Sequence, residues 1–311
     1  MVRTSRPALA ACLLLSALTA CGSGEPEAPI ARMPKVLVIG IDGVRPDVLA
    51  EVATPNLDAL AAEGTFTATA RTGFPSVSGP GWSSLLTGVW SDKHGVTDNE
   101  FVGKNYGAYP DFLTRIEQVR PELSTFAVAD WLPLVYADDG QPTLSDAIDV
   151  KHVLDGYKVG WPQGDSESVR LTIEALQSGD PDALFVYLGT PDEVSHETGA
   201  IGDEYRDAIV LADSQVGALV RAVRDRRTYP SEDWLVLVST DHGRLVTGGH
   251  GGDTPEERTI FYLASGSSTV KGSPVGQVEI VDVAVTALAH LGIETDPAWQ
   301  LDGHVVGLAA H

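Results

Sequence analysis

Five apolar runs punctuate the chain, at 35–41 (KVLVIGI), 124–129 (STFAVA), 183–188 (ALFVYL), 234–239 (WLVLVS) and 259–264 (TIFYLA). Their length and lack of strict polar alternation predict strands buried on both faces. Between them, apolar residues recur at helical spacing over 56–63, 82–86, 166–177, 203–226 and 279–291, which predicts helices. Strands alternating with helices predict an α/β fold, a mainly parallel central sheet with helices on both faces. Ligand sites in such sheets lie at the carboxyl ends of the strands. The stretch 133–165 is rich in Asp, Gly and Pro with weak periodicity, and is expected to form a small lid or insertion. Neither an internal repeat nor a second domain boundary interrupts the pattern.

The N-terminus follows a different logic. Arg3 and Arg6 precede an apolar run over 8–18 and then Thr19-Ala20-Cys21, the layout of a secretory signal and too short to remain as a spanning helix. The run 18–21 (LTAC) resembles a bacterial lipobox, in which cleavage precedes a cysteine that becomes lipidated. On that expectation residues 1–20 are a lipoprotein-type signal peptide, 21–32 a polar tether anchored through Cys21, and 33–311 one folded domain held at a bacterial membrane on its extracytoplasmic side. The alternative is an ordinary secreted protein with an incidental cysteine. Cysteine arithmetic favours the anchor, since Cys12 lies in the removed segment and Cys21 would otherwise be a lone thiol in an oxidising compartment.

Charge narrows the partners. Against 21 Lys and Arg stand 43 Asp and Glu, a net charge of −22, which repels nucleic-acid duplexes and bare anionic membranes. Membrane contact is therefore expected through the lipid anchor alone. A small anionic substrate would need bound cations to offset the field.

Acidic residues follow three of the predicted strands: Asp42, Asp192 and Asp241. Each alone reads as a turn former or helix cap. The histidines change that reading. Asp192 and His196 are four apart, so one helical turn projects both to the same side. Asp241 and His242 are adjacent, and His250 lies within Gly248-Gly249-His250-Gly251-Gly252, where backbone passes close to a ligand. Three Asp and three His suit two divalent ions, zinc by donor type. Such a pair stabilises entering and leaving oxygens in phosphoryl transfer. His152, His290, His304 and His311 have no matching acidic constellation and read as structural or solvated.

A nucleophile is supplied by the segment 74–88 (FPSVSGPGWSSLLTG). Pro80 suits the first turn of a helix, placing Ser78 just before it, where free N–H groups favour a phosphoryl anion. Read alone, Ser78 is an N-cap serine.

Taken together in order, these motifs resemble the alkaline phosphatase superfamily, and most its type I phosphodiesterase/nucleotide pyrophosphatase branch. The likeness runs from about Lys35 to about Gly307. Asp42-Gly43-Val44-Arg45 matches the opening acidic motif, 54–60 (TPNLDAL) the stretch that follows, 74–88 the nucleophile motif, and 92–96 (DKHGV) its continuation. Pro191-Asp192 with His196, Thr240-Asp241-His242-Gly243 and His250-Gly251 complete the metal set. The resemblance implies one ion held by Asp42, Asp241 and His242 with Ser78, and a second by Asp192, His196 and His250. It further implies attack by Ser78 on phosphorus, a phosphoserine intermediate, and hydrolysis of a small phosphoester, a nucleotide or related diester.

Two departures bear on the substrate. Nucleotide pyrophosphatases carry Asn three residues after the nucleophile, where this chain has Gly81, and their usual nucleophile is Thr. Gly79, Trp82 and Asn99 are candidate substrate contacts. Trp82 stacks on a base or aryl group, or else covers the helix start; Asn99 replaces the missing oxygen ligand, or else forms a turn with Asp98. Lys93, His94 and Arg45 read as local supports. Rival readings are a phosphomonoesterase or phosphonate hydrolase on the same core, a sulfatase, whose signature carries Arg where this chain has Trp82, and a non-catalytic binding lipoprotein.

Overall fold

Strand β1 (Met33–Ile41) shows how one apolar run makes two cores. Its residues alternate across the sheet. Val36 and Val38 join a cluster with Trp82, Phe112 and Leu288 on one face, while Leu37, Ile39 and Ile41 join Tyr205, Ile209 and Val216 on the other. In this computed structural model, residues 1–2 and 32–309 are described. Of these, residues 32–309 belong to one unit, separate from the first 31 residues. Cys21 and the expected signal peptide and tether lie outside the described residues, except for residues 1–2 and 32, as does His311. Among the described residues no helix is long and apolar enough to cross a membrane.

The remaining strands are β2 (Thr65–Arg71), β3 (Thr125–Ala129), β4 (Val150–Val153), β5 (Ala183–Leu188), β6 (Glu232–Ser239) and β7 (Thr259–Gly266). They form a seven-stranded sheet in the order β2-β7-β6-β1-β5-β3-β4. From β6 to β4 all pairings are parallel, and β7 runs antiparallel to both β6 and β2. The mainly parallel α/β sheet expected from the apolar runs is therefore present.

Helices cover both faces. Ser78–Thr87, Phe112–Val119 and Asp282–His290 pack on one, and Pro55–Glu63, Trp161–Ser178 and Asp203–Arg224 on the other. The last of these places Asp203 and Glu204 in its first turn and Arg221 and Arg224 in its last, so its end charges complement the helix dipole.

Five strands and five helices match the sequence pattern, and several shorter elements do not. Strand β2 is threonine-rich and only partly buried, so it lacks an apolar run. Helix Phe112–Val119 is short and lies between polar turns. The stretch 133–165, expected as a lid or insertion, instead supplies the four-residue edge strand β4, the turn Gly156–Val159 and the start of helix Trp161–Ser178, which begins five residues before the periodic segment.

Trp82 lies across the carboxyl end of β1. A Cβ built on Gly40 would sit 2.3 Å from its ring, closer than atoms tolerate. Gly40→Ala is therefore expected to displace Trp82 and lower unfolding stability by about 2 kcal/mol, read from urea denaturation midpoints. An unchanged midpoint would show that the contact is not tight.

Candidate active site

Strands β6, β1 and β5 are neighbours, and a carboxylate follows each. Asp42 comes directly after β1, Asp241 two residues after β6, and Asp192 in the first turn of the helix Thr190–Thr198 that follows β5. Parallel strands point their carboxyl ends the same way, so these acids converge.

Asp42 is held on one side only. Its Oδ2 accepts hydrogen bonds from Trp82 Nε1–H at 2.9 Å and from the Tyr187 hydroxyl at 2.6 Å. Its Oδ1 is buried with no hydrogen-bond partner. Asp241 shows the same asymmetry: Oδ1 accepts from the Gly43 amide at 3.2 Å, and Oδ2 is buried and unpartnered. Between the two free oxygens stands His242. Its Nδ1 is 3.0 Å from the Gly243 carbonyl; donation there assigns the tautomer that leaves a lone pair on Nε2. That Nε2 lies 3.5 Å from Asp42 Oδ1, 3.3 Å from Asp241 Oδ2 and 3.2 Å from Ser78 Oγ.

A second group adjoins the first. Ligand atoms of Asp42, Asp241 and His242 lie within 4.8 Å of one another, and so do those of Asp192, His242 and His250. The second set contains His242 where the sequence motif has His196. His196 stands at the rim, 43% exposed, with Nε2 3.1 Å from Asp192 Oδ2 and 3.2 Å from His250 Nε2. His250 is fixed through Nδ1 to the Ser76 carbonyl at 2.9 Å and stacks on His242 with ring centroids 3.8 Å apart.

The electrostatics fit a place for cations. Burial, with the Asp42 charge beside it, pushes the Asp241 carboxyl well above the usual carboxylate range. Burial and the neighbouring His242 push His250 down to about 2, and burial lowers His242. Neutral imidazoles keep their lone pairs, and crowded carboxylates need a proton or a metal between them. The sequence motif did not single out Arg244, though it directly follows Asp241-His242-Gly243. Fully buried, it donates from Nη1 to the main-chain oxygens of Asp192 at 3.2 Å and Gly248 at 2.9 Å, and from Nη2 to Asp192 Oδ1. It thereby ties the turn carrying Asp192 to the glycine loop carrying His250.

Ser78 is the first residue of its helix rather than the residue before it; Val77 is the N-cap, with no side-chain cap. This leaves the hydroxyl turned to His242. Gly81 lies so close to β6 that an added Cβ would be 3.0 Å from the Asp241 carbonyl, which disfavours a larger side chain at that position. Asn99 Oδ1 accepts from the Gly79 amide at 2.7 Å, so Gly79 meets the site through Asn99.

Trp82 requires a correction. It is fully buried and spends its indole N–H on Asp42, so it cannot stack on a substrate. Aromatic walls come instead from Trp131, Tyr157 and Trp161, which with Glu193, Asn99, Ser78, His196 and His250 line a cavity of about 260 Å³. Tyr157 and Trp161 come from the 133–165 stretch, whose weak periodicity concealed them. The expected supports are supports: Lys93 pairs with Asp302, His94 bonds Ser84, and Arg45 pairs with Asp47 and donates to the Arg244 carbonyl. His290 bonds Ser268 and the Asp233 carbonyl, His304 faces Asp282, and His152 packs on Phe126.

Comparison with known proteins bears on the fold and the family. Mouse ectonucleotide pyrophosphatase/phosphodiesterase family member 7 is 25% identical over 268 residues, covering 79% of this chain and 57% of that protein. This chain thus spans little more than half the length of that relative. Among solved structures, murine ectonucleotide pyrophosphatase/phosphodiesterase 5, as an inactive form in complex with AMP, superposes with a TM-score of 0.65 at 16% identity, covering 84% of this chain and 96% of that one. A putative sulfatase from Bacteroides thetaiotaomicron superposes with a TM-score of 0.67 at 12% identity, covering 88% and 73%. At such identities these structures share the fold. Residues 36–247, which contain the three acids, Ser78, His196 and His242, match the family model for type I phosphodiesterase/nucleotide pyrophosphatase, and by that match over most of its length the chain belongs to that family.

Proposed function

We propose that this chain is a metal-dependent phosphodiesterase of the nucleotide pyrophosphatase kind, acting outside the cytoplasm from a lipid anchor at Cys21. The observation that carries the reading is the pair of buried, unpartnered oxygens, Asp42 Oδ1 and Asp241 Oδ2, facing His242 Nε2 beside Ser78 Oγ. Buried acceptors without donors are costly unless a cation satisfies them, so the residues fit a metal. Asp42, Asp241, His242 and Ser78 would hold one ion, and Asp192, His196 and His250 a second. When bound, two divalent ions, zinc by the mixed His and Asp donor set, supply the charge that lowers the hydroxyl pKa and stabilises the transferred phosphoryl oxygens.

The side chains then divide the work. Ser78 Oγ gives its proton to solvent and bonds to phosphorus as the phosphorus–ester oxygen bond breaks, the departing oxygen taking a proton from solvent; a water oxygen later bonds to the same phosphorus, releasing a proton as the serine oxygen leaves and is reprotonated. The Gly79 amide donates to Asn99, Pro80 has none and the Gly81 amide donates to the Val77 carbonyl, so of the first four helix residues only Ser78 has an amide left to offer the phosphoryl anion. Asn99, its carbonyl held by the Gly79 amide, keeps its NH2 group for a non-bridging oxygen. Trp82 and Tyr187 hold Asp42 in one orientation.

Charge in the pocket favours a diester. Among the described residues no Lys or Arg lines the cavity, so the extra anionic oxygen of a monoester lacks there the bidentate partner that it would call for. The AMP complex of the murine relative supports a nucleotide among the candidate substrates. The sulfatase-like fold of other neighbours makes aryl sulfate the control substrate.

With the full chain in detergent, turnover of bis(p-nitrophenyl) phosphate is expected to exceed that of p-nitrophenyl phosphate and p-nitrophenyl sulfate, to vanish with EDTA and to return with zinc. Ser78→Ala should lower kcat by at least about 10⁴-fold; dominant sulfate or monoester turnover would move the chain to the rival chemistry. Asn99→Ala should cost about 10²-fold in kcat/KM for the diester, and a change under about threefold would remove Asn99 from the phosphoryl site. In a bacterial host, Cys21→Ala should lose fatty-acid labelling and leave the membrane fraction, whereas labelling that persists refutes the anchor.

A further inference from the structure

A second pair of buried acids lies beside the site and takes no part in the proposed reaction. Asp130 directly follows β3 at its carboxyl end, and Asp165 lies in helix Trp161–Ser178; both are fully buried. Asp165 Oδ1 accepts from the Gly189 amide at 2.7 Å and Oδ2 from the Thr190 amide at 3.2 Å. Gly189 is the N-cap and Thr190 the first residue of the helix carrying Asp192 and His196. That helix has no side-chain cap of its own, so Asp165 caps it from another element.

Asp130 has the opposite situation. Among the described residues neither of its carboxylate oxygens meets an N–H or O–H donor, yet it lies beside Asp165, close enough to be affected by that carboxylate's charge. It reaches there across Gly164, where an added Cβ would lie 2.2 Å from Asp130 Oδ2. Two ionised carboxylates have only acceptors to offer and repel; one proton turns the contact into a hydrogen bond. Because Asp165 spends both oxygens on amides, the proton belongs on Asp130. Burial and the Asp165 charge push the Asp130 carboxyl well up, in the same direction.

We propose that Asp130 and Asp165 are a positioning pair sharing one proton, held by Asp130, that sets the helix bearing Asp192 and His196 against the first metal-ligand group. The consequence for metal rests on the reading of Asp192 as a ligand. The pair also joins β3, the aromatic wall segment and β5, since Trp161 packs on Gly189, where an added Cβ would sit 2.5 Å from its ring.

Amide hydrogen exchange of the full chain, read at Gly189 and Thr190 and joined to zinc stoichiometry, tests this. Asp165→Asn should speed exchange at both amides by about tenfold or more and lower bound zinc from two ions per chain toward one. Asp130→Asn, whose amide N–H replaces the shared proton, should stay within about threefold and keep both ions. Asp130→Leu, similar in size but without a donor, should behave like Asp165→Asn. Equal damage in Asp130→Asn and Asp130→Leu, or unchanged exchange in Asp165→Asn, would overturn the pair. Should Asp165→Asn not fold, the two Asp130 variants decide. Asp192→Ala run alongside separates the readings: if it retains two zinc ions, the ligand assignment fails while the exchange data still judge the pair.

Discussion

Crowding of carboxylates in a dry place is the constraint around which this molecule is organised. Asp42, Asp192 and Asp241 meet at the ends of three adjacent strands, nearly out of contact with water. Like charges at that density cannot all ionise unless positive charge or protons stand between them. The surroundings answer with neutral imidazoles, one buried guanidinium and two free carboxylate oxygens aimed at a common point. A cation completes such an arrangement, and the protein's net charge of −22 makes bound cations the natural means of drawing in an anion.

Rigid elements, more than flexible loops, give the site its geometry. Trp82 and Tyr187 reach Asp42 from opposite elements, a helix and a strand, and their rings pack edge to face at 5.2 Å. Arg244 performs a similar service for Asp192 and the glycine loop. Restraints of this sort restrict each acid to one orientation, which is what ligand groups require from the residues behind them. Placing Ser78 at the start of a buried helix whose Gly81 abuts the Asp241 backbone just beyond β6 fixes its hydroxyl by the same means.

Family membership and local chemistry bear on different questions. Membership follows from the match over 36–247, whereas substrate choice depends on the walls above the acids. Those walls combine Trp131, Tyr157 and Trp161 with Glu193. On the proposed reading, such a wall would suit a singly charged ester bearing a flat or apolar group better than a strongly anionic one. The low identity to solved neighbours leaves that choice to this chain's own residues.

The sequence by itself determined the α/β class and singled out most of the residues that the structure gathers at the strand ends. Buried parallel strands must be apolar throughout, and acids at their ends stand out against such runs. Asp42, Asp192 and Asp241 were legible for that reason, His196 and His242 by their spacing from those acids, His250 by its flanking glycines, and Ser78 because Gly and Pro mark a helix start. Edge strands β2 and β4 were illegible because half-exposed short strands need no apolar run. Only the tertiary structure decided that Trp82 faces Asp42 instead of a substrate, that His242 stands between both ligand groups while His196 keeps the rim, and that Tyr157 and Trp161 form a wall. Those assignments depend on which distant segments meet, and long-range contact leaves no local pattern in the chain. Asp130 and Asp165 illustrate the limit best: separately each is one acid among 43 Asp and Glu, and only their burial side by side requires a shared proton.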